Sequence, residues 1–384
     1  MPIQAFLTNY FSRSVLLAFL LLQLGSAVVA QQTAAGFDAI AASAAAAREN
    51  HDDTRAIQLY TEAEQLKPDW PSGWWSLGLL QYSGRNWPAA GNAFTRYIKL
   101  TPESTPAVAQ ATALRGICEF ETGDFPHSLA DLQHSIALRV TEEPGSATLI
   151  RLREAQVLTR LGRFEESLGV YGSLAKTGLL TQRDLEWNIG AGLAGLRNPQ
   201  LPADVPVSQQ DLFALAGDAA LRFMSGDEAG AQQAFSSFFQ RFPETPNAHY
   251  LYGSLISPTD PDAAVVEYKH ELEIAPANAT AAAMLARVLL YQAEPAQALP
   301  FAQRAVSEDP ESPVSQLVLG RSLAETGDLT GGIEHLQKAL QLQPGLLETH
   351  IALASAYASA GRQQDARRER LQSLEMAETY RARQ

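Results

Sequence analysis

Small and apolar residues recur along most of this chain at helical spacing, and short turns interrupt the pattern. In residues 71–104, Trp74 and Leu77 fall in one such segment, and Ala90 and Phe94 fall in the next. Side chains three or four residues apart lie on one face of a helix. The pattern therefore predicts two helices joined by a turn.

Prolines measure the length of this two-helix unit. Pro68 and Pro102 are 34 residues apart, and four later prolines follow one another at intervals of 33, 34 and 34 residues. A period of this length is typical of helical repeat proteins. The predicted units are 37–70, 71–104, 109–142, 148–181, 212–244, 245–277, 279–311, 313–346 and 347–380.

Two positions of the unit hold small residues almost throughout. Position 8 reads Ala44, Gly78, Gly116, Ala155, Ala219, Tyr252 (with Gly253 beside it), Ala286, Gly320 and Ala354. Position 20 reads Ala56, Ala90, Ser128, Ser167, Ala231, Ala264, Ala298, Gly332 and Ala366. Position 24 holds a larger apolar residue in seven units: Tyr60, Phe94, Leu132, Tyr171, Phe235, Tyr268 and Leu336. Two helices approach closely only where the side chains at their crossing are small, so these columns predict the helix crossing and its filling.

Glycine also recurs in the turns between the two helices of a unit. It occurs there at Gly123, Gly162, Gly226, Gly327 and Gly361. Glycine takes the left-handed conformation that ends a helix without steric cost. We expect these five residues to have positive φ angles.

The unit 71–104 contains W-x2-L-G, A-x3-F and P at the spacing of the tetratricopeptide repeat, and the chain resembles that family. The resemblance implies an all-α solenoid of stacked helix-turn-helix repeats that forms a superhelix. The repeat pattern breaks at 182–211, where Leu185 to Leu196 predicts an irregular helix and three prolines predict a loop in place of its partner helix. We therefore expect two arrays, 37–181 with about four repeats and 212–380 with about five, and the segment between them is either a hinge or a decayed repeat packed in line. The family resemblance also implies a scaffold that binds a protein or peptide in its concave groove, without catalysis.

The same resemblance suggests which residues line the groove. In this family the first helix of each unit faces it, through positions 2, 5, 9, 12 and 13. Aromatic, aliphatic and arginine side chains at or next to those positions are Trp75, Leu79, Tyr82, Ile117, Phe120, Phe223, Tyr250, Arg287, Tyr291 and Arg321. The alternative, that the stripe packs against the next repeat, stays open.

Residues 1–30 resemble a secretory signal peptide. Arg13 precedes the apolar run 15–24, and small residues lead to Ala30. Cleavage there would yield an exported chain, periplasmic or secreted, without stable membrane insertion. The alternative is an uncleaved anchor, although 15–30 is shorter than the roughly 20 residues that span a bilayer.

Charge and residue chemistry narrow the function further. A net charge of −13 disfavours nucleic acid, which attracts basic surfaces. The single cysteine, Cys118, cannot form an intramolecular disulfide. The histidines lack the usual zinc-site spacing, and His249 and His270 are expected on helices without partners, so we predict no catalytic residue, cofactor or metal. The alternative function is a helical enzyme, or an enzyme-associated subunit, that acts on envelope glycans or peptides near 182–211.

Overall fold

The computed structural model describes residues 36–138, 144–177 and 185–382, and the predicted signal peptide lies outside these ranges. Within them the regular elements are helices. They are 36–49 (α1), Asp53–Leu66 (α2), Pro71–Ser83 (α3), Trp87–Leu100 (α4), Pro106–Thr122 (α5), Phe125–Ala137 (α6), Pro144–Arg160 (α7), Phe164–Lys176 (α8), Leu185–Gly195 (α9), Val207–Ser225 (α10), Glu228–Arg241 (α11), Ala248–Ile256 (α12), Pro261–Ile274 (α13), Ala279–Tyr291 (α14), Pro295–Glu308 (α15), Pro313–Glu325 (α16), Leu329–Leu342 (α17), Leu347–Ser359 (α18) and Gln363–Ala382 (α19).

These helices pack in pairs. The two helices of a unit lie against each other, as α3 does with α4 and α16 with α17, and the second packs on the first helix of the next unit. First helices of successive units also touch, as α14 does with α16 and α16 with α18. The predicted all-α fold of stacked helix pairs is confirmed. No described helix has both the length and the apolar character needed to cross a bilayer.

On a larger scale than the repeats, the chain divides into two compact regions between Val157 and Leu158. We call these regions the amino unit and the carboxyl unit. The division at 182–211 that the sequence suggested stays a prediction.

The small residues of each unit lie where its helices cross. Ala56, Ala90 and their counterparts at position 20 are fully or almost fully buried. A Cβ atom added to Gly78 would lie 2.7 Å from the Phe94 ring, and one added to Gly320 would lie 2.7 Å from Leu336. The position-8 glycine thus makes room for the position-24 side chain of the same unit, as the columns predicted.

The sixth unit reaches the same crossing with a shifted register. Tyr252, at the expected position, is only partly buried. The close approach occurs at Gly253, where an added Cβ would lie 3.1 Å from the Tyr268 ring. The expected position is therefore one residue early in this unit.

The five turn glycines all have positive φ, from 74° to 107°, as predicted. His51, Arg85 and Ala293 occupy the same turn in three other units, with φ of 58°, 57° and 60°. A non-glycine residue adopts this conformation at a cost, so the turn geometry belongs to the fold and not to glycine alone.

The irregular segment contains the predicted helix, α9, which packs very closely on α10. A Cβ added to Gly192 would lie 1.9 Å from the carbonyl oxygen of Phe213, and one added to Gly217 would lie 1.8 Å from that of Asn188. Glycines on both helices therefore bring the two backbones into contact. Between the helices the prolines leave only a 3-10 turn, Pro202–Asp204, and α10 begins before the predicted unit boundary at 212.

Candidate functional site

A cleft of about 330 Å³ opens in the amino unit beside the first helices of the second, third and fourth repeats. Its lining residues come from the ends of α3 and α5, the start of α4, the intervening turn and the first half of α7. They are Tyr82, Arg85, Trp87, Ile117, Glu121, Leu149 and Arg153. We call this the amino cleft.

Aromatic and aliphatic groups form the floor of the amino cleft. The rings of Tyr82 and Trp87 meet edge to face at 5.3 Å, and Leu149 is 47% exposed. The guanidinium of Arg153 lies over the Phe120 ring at 4.6 Å and 3.7 Å from the Glu121 carboxylate. Burial raises the pKa of the Tyr82 hydroxyl above its ordinary value.

A larger cleft of about 560 Å³ opens in the carboxyl unit among the first helices of the last three repeats. It is lined by α14, α16 and α18, with two residues of α17 at its back. The lining residues are Tyr291, Arg321, Ala324, Glu325, Leu329, Leu336, Glu348, Ile351, Ala352, Ser355, Ala356 and Ser359. We call this the carboxyl cleft.

Three polar side chains at the rim of the carboxyl cleft hold one another in place. The Tyr291 hydroxyl donates to Glu348 at 3.0 Å, and Nη1 of Arg321 donates to the same oxygen at 3.2 Å. The Arg321 guanidinium also lies over the Tyr291 ring, 5.5 Å from its centroid. Burial, with the Glu348 carboxylate adding to it, raises the pKa of the Tyr291 hydroxyl.

Exposed apolar surface lies directly beside this polar group. Tyr291 is 67% exposed and Ile351 is 54% exposed, although large apolar side chains are usually covered. An exposed aromatic ring and an aliphatic side chain next to an arginine form the kind of surface that dominates protein interfaces. The carboxyl cleft can therefore take an apolar side chain of a partner while its charged groups fix the orientation.

Four of the predicted groove residues line a cleft, namely Tyr82 and Ile117 in the amino cleft and Tyr291 and Arg321 in the carboxyl cleft. Of these, Ile117 is only 6% exposed, so it offers a partner little surface.

The other predicted groove residues lie mainly in packing contacts. Trp75 packs its ring 5.1 Å from that of Tyr97, and Leu79 borders the same cluster. Phe120 and Tyr250 are buried, Phe223 packs against the core of the carboxyl unit, and Arg287 is partly buried. No observation tests whether these residues contact a partner, so their role in a groove stays a prediction.

Sequence reasoning selected aromatic and arginine residues and so missed Glu348 and Ile351. Both occupy groove-facing positions, 2 and 5, of the last unit. The position rule alone would have identified them. That Glu348 joins Tyr291 and Arg321 depends on three separate helices and could not be deduced from the spacing.

Two histidines also lie in an unexpected arrangement. Nδ1 of His249 is 2.6 Å from Oε2 of Glu267, and the rings of His249 and His270 meet edge to face at 5.4 Å. The expectation that these histidines lack partners is wrong, because α12 and α13 pack side by side and bring together residues 18 and 21 positions apart.

Comparison with known protein families finds a match in one part of the carboxyl unit. Residues 283–346 match the sequence profile described as tetratricopeptide repeat. The match ends at the same residue as the predicted unit 313–346. No curated protein matches the chain.

Two solved structures are similar to part of this chain. MamA from Desulfovibrio magneticus RS-1, from residue 41 to its end, is 20% identical over 44% of this chain and 96% of that chain, with a TM-score of 0.39. YrrB, described as a TPR protein with an unusual peptide-binding site, is 19% identical over 42% of this chain and 84% of that chain, with a TM-score of 0.37. Neither resemblance adds an argument about function.

The family profile covers one part of the carboxyl unit, while the paired helices, the small residues at the crossings and the left-handed turns recur in the other described repeats. Residues 283–346 therefore carry tetratricopeptide repeat sequence, and the other described helix pairs share the same small-residue crossings and turns.

Proposed function

We propose that this protein is an exported, non-catalytic scaffold that binds a peptide segment of a partner protein on the face formed by its first helices, with the carboxyl cleft as the main site. The observation that carries this proposal is the exposed pair of Tyr291 and Ile351 beside the Arg321–Glu348 ion pair. Removing that apolar surface from water would stabilise a complex.

The chemistry of both clefts favours a peptide over a glycan. A glycan hydrolase needs a pair of carboxyl groups placed across the scissile bond. The three acids in the two clefts are instead engaged with arginines: Glu121 with Arg153, and both Glu325 and Glu348 with Arg321. Mixed aromatic, aliphatic and arginine side chains are typical of peptide-binding surfaces.

The geometry suggests how a peptide would be oriented. An apolar side chain would lie between Tyr291 and Ile351, which stand on first helices two repeats apart. Arg321 is paired with both Glu325 and Glu348, so a partner carboxylate can replace the more exposed Glu325 on the guanidinium while Glu348 stays paired. We therefore expect selected peptides to share one apolar anchor flanked by polar residues.

The test is selection of binding peptides from a displayed random library on the purified protein, followed by measurement of Kd for a selected peptide. The double variant Tyr291→Ala with Ile351→Ala should weaken binding about thirtyfold, which corresponds to about 2 kcal/mol. Both side chains are more than half exposed, so the melting temperature should change little.

The matched control is Leu371→Ala. Leu371 is 52% exposed on α19, outside both clefts, and its loss should leave Kd unchanged. A peptide that binds the double variant as tightly as the original protein, with both proteins folded, would remove the carboxyl cleft as the site. A peptide weakened instead by Tyr82→Ala would move the site to the amino cleft.

Export is part of the proposal and has a separate test. Its support is the order of Arg13, the apolar run 15–24 and the small residues ending at Ala30. Protein purified from its native host should begin at or near Gln31 by mass spectrometry. A full-length chain retaining Met1 in the cytoplasmic fraction would contradict export, and an intact chain in the membrane fraction would indicate an anchor.

A further inference from the structure

The cluster of His249, Glu267 and His270 lies on the helix pair α12–α13, and none of the three residues lines either cleft. One ligand atom of each residue, an imidazole nitrogen or a carboxylate oxygen, lies within 4.8 Å of the other two. We propose that these three residues form a binding site for a divalent transition-metal ion of the Zn²⁺ type.

The donor set fits that class of ion. Two imidazoles and one carboxylate suit Zn²⁺, Cu²⁺ and Ni²⁺, whereas Mg²⁺ and Ca²⁺ prefer ligand sets made of oxygen alone. Glu267 and His270 are three residues apart on α13, so their side chains project from neighbouring positions on one face of the helix. His249 reaches the same point from α12.

The distances are close to those that an ion requires. Zinc binds nitrogen and oxygen ligands at about 2.0–2.2 Å, which places the ligand atoms of a tetrahedral site about 3.4 Å apart. His249 and Glu267 are now closer than that, at 2.6 Å, because they share a hydrogen bond. An ion entering between them replaces the proton on Nδ1 of His249, which moves to Nε2 of the same ring or leaves to solvent, and the exposed His270 turns to complete the set.

The packing around His249 prepares it as a ligand. Its ring stacks on Phe239 with a centroid distance of 4.2 Å and an interplanar angle of 4°. The His249 and Glu267 side chains are 14% and 18% exposed, while His270 is exposed. Two ligands are thus held by their surroundings and the third is open to solvent, so an ion can enter without disturbing the core.

Three protein ligands leave a tetrahedral ion with one open position. A water molecule fills such a position in an isolated protein, and a donor atom of a partner can take its place. The site therefore offers the scaffold a second, metal-dependent contact that is independent of the peptide cleft.

The test is titration of the untagged protein with ZnCl₂ by isothermal calorimetry. We expect one equivalent of Zn²⁺ to bind per chain with a Kd in the micromolar range, and Mg²⁺ not to compete. His270→Ala and Glu267→Gln should each weaken binding at least tenfold. Because His270 is exposed, His270→Ala should leave the circular dichroism spectrum and the melting temperature of the metal-free protein unchanged.

The control variant is His127→Ala. His127 is also an exposed helical histidine beside a carboxylate, with Nδ1 2.8 Å from Asp124. Among the described residues, however, these two form no group of three possible metal ligands. Its substitution should leave the Zn²⁺ affinity unchanged. Binding of Co²⁺ to the original protein should produce the visible absorption of a four-coordinate ion. This absorption should be absent from His270→Ala.

Two results would overturn the proposal. One is the absence of Zn²⁺ binding to the original protein at millimolar concentration. The other is equal affinity in the original protein, His270→Ala and Glu267→Gln, which would place the bound ion elsewhere. Neither result bears on the peptide cleft, whose residues are not altered in this experiment.

Discussion

The first and sixth repeats each bury a glutamate in the last turn of their second helix, and the two carboxylates have opposite surroundings. Glu271 is fully buried and accepts hydrogen bonds from the backbone N–H groups of Asn247 and Tyr250 and from the Asn278 amide. Glu64 is 3% exposed, and neither of its oxygens has a hydrogen-bond partner.

The difference lies in the helix start that each carboxylate faces. Asn247 and Tyr250 are at the amino end of α12, where N–H groups have no partner within the helix and the helix dipole favours an anion. Glu64 faces the start of α3, where Pro71 has no N–H and the N–H groups of Gly73 and Trp74 are bonded to the Trp70 carbonyl. A buried glutamate thus stabilises the sixth repeat and destabilises the first.

The electrostatic consequence appears at Glu64. Its burial, reinforced by the nearby charge of Asp69, raises the pKa of its carboxyl from 4.5 to about 8. A carboxyl with a raised pKa binds its proton more tightly in the folded state than in the unfolded state. Folding stability therefore falls as the pH rises from about 4.5 to about 8, and the penalty is complete above that range.

The largest expected effect is the removal of the satisfied carboxylate. Glu271→Ala leaves two backbone N–H groups and one amide without their acceptor and should lower the free energy of unfolding by about 3 kcal/mol. Chemical denaturation at pH 7 measures this change. Glu273→Ala, an exposed residue of the same helix, should change stability by less than about 0.5 kcal/mol. Equal effects of the two substitutions would mean that Glu271 does not anchor α12.

A second test asks whether the helix crossings of the two repeats are equivalent. Ala56 and Ala264 occupy position 20 of their repeats, and both are fully buried. Ala56→Leu and Ala264→Leu should each cost about 1–3 kcal/mol because they overpack the crossing. Ala296→Leu, at an exposed helical position, should cost little. A tolerated leucine at position 56 or 264 would mean that the repeat register is wrong there.

The third prediction concerns the pH dependence of Glu64. Glu64→Gln removes the titrating group, so the variant should gain on the order of 1–2 kcal/mol relative to the original protein between pH 5 and pH 8. The measurement is the denaturation midpoint across that range. Glu62→Gln, exposed on the same helix, should follow the original protein at every pH. Parallel curves for Glu64→Gln and the original protein would show that folding does not raise the pKa of Glu64.

The smallest expected effect lies in the turns of the two repeats. His51 turns the first repeat with a φ of 58°, whereas Thr259, its counterpart in the sixth repeat, does not take the left-handed conformation. His51→Gly should raise stability by about 1 kcal/mol, because glycine adopts this φ without strain. Thr259→Gly should lower stability slightly, because it frees the unfolded chain and removes the hydrogen bond that the Thr259 hydroxyl donates to the Ile256 carbonyl. A gain at both positions would refute the difference between the turns.

Much of the fold could be predicted because each repeat packs in the same way and therefore places the same kinds of residue at the same positions. The column from Ala56 to Ala366 is small because every unit has the same crossing, and the structure buries each described member. Gly123 and Gly327 indicated the left-handed turn for the same reason. The turn at Ala293 and the shifted crossing at Gly253 were not predicted, because tertiary packing overrides residue preference there.

The residues that line the two clefts were predicted less completely than the fold. Tyr82, Tyr291 and Arg321 line clefts, as aromatic and arginine residues at groove positions suggested. Trp75 was chosen by the same rule, and its ring lies 5.1 Å from that of Tyr97, so its role in a groove stays a prediction. A helical stripe shows that residues share a face, but it does not show whether a neighbouring helix covers that face.

The sequence by itself determined the helices and, in most units, the turn and the position of close approach, because each of these depends on residues within one unit of about 34 positions. Only the tertiary structure decided which polar groups meet across helices. Glu348 joins Tyr291 and Arg321, and His249 joins Glu267, through helices packed side by side. The physical reason is that an apolar period specifies which face is buried, whereas the partner of a charged or ligating atom depends on distances between elements that no local pattern records.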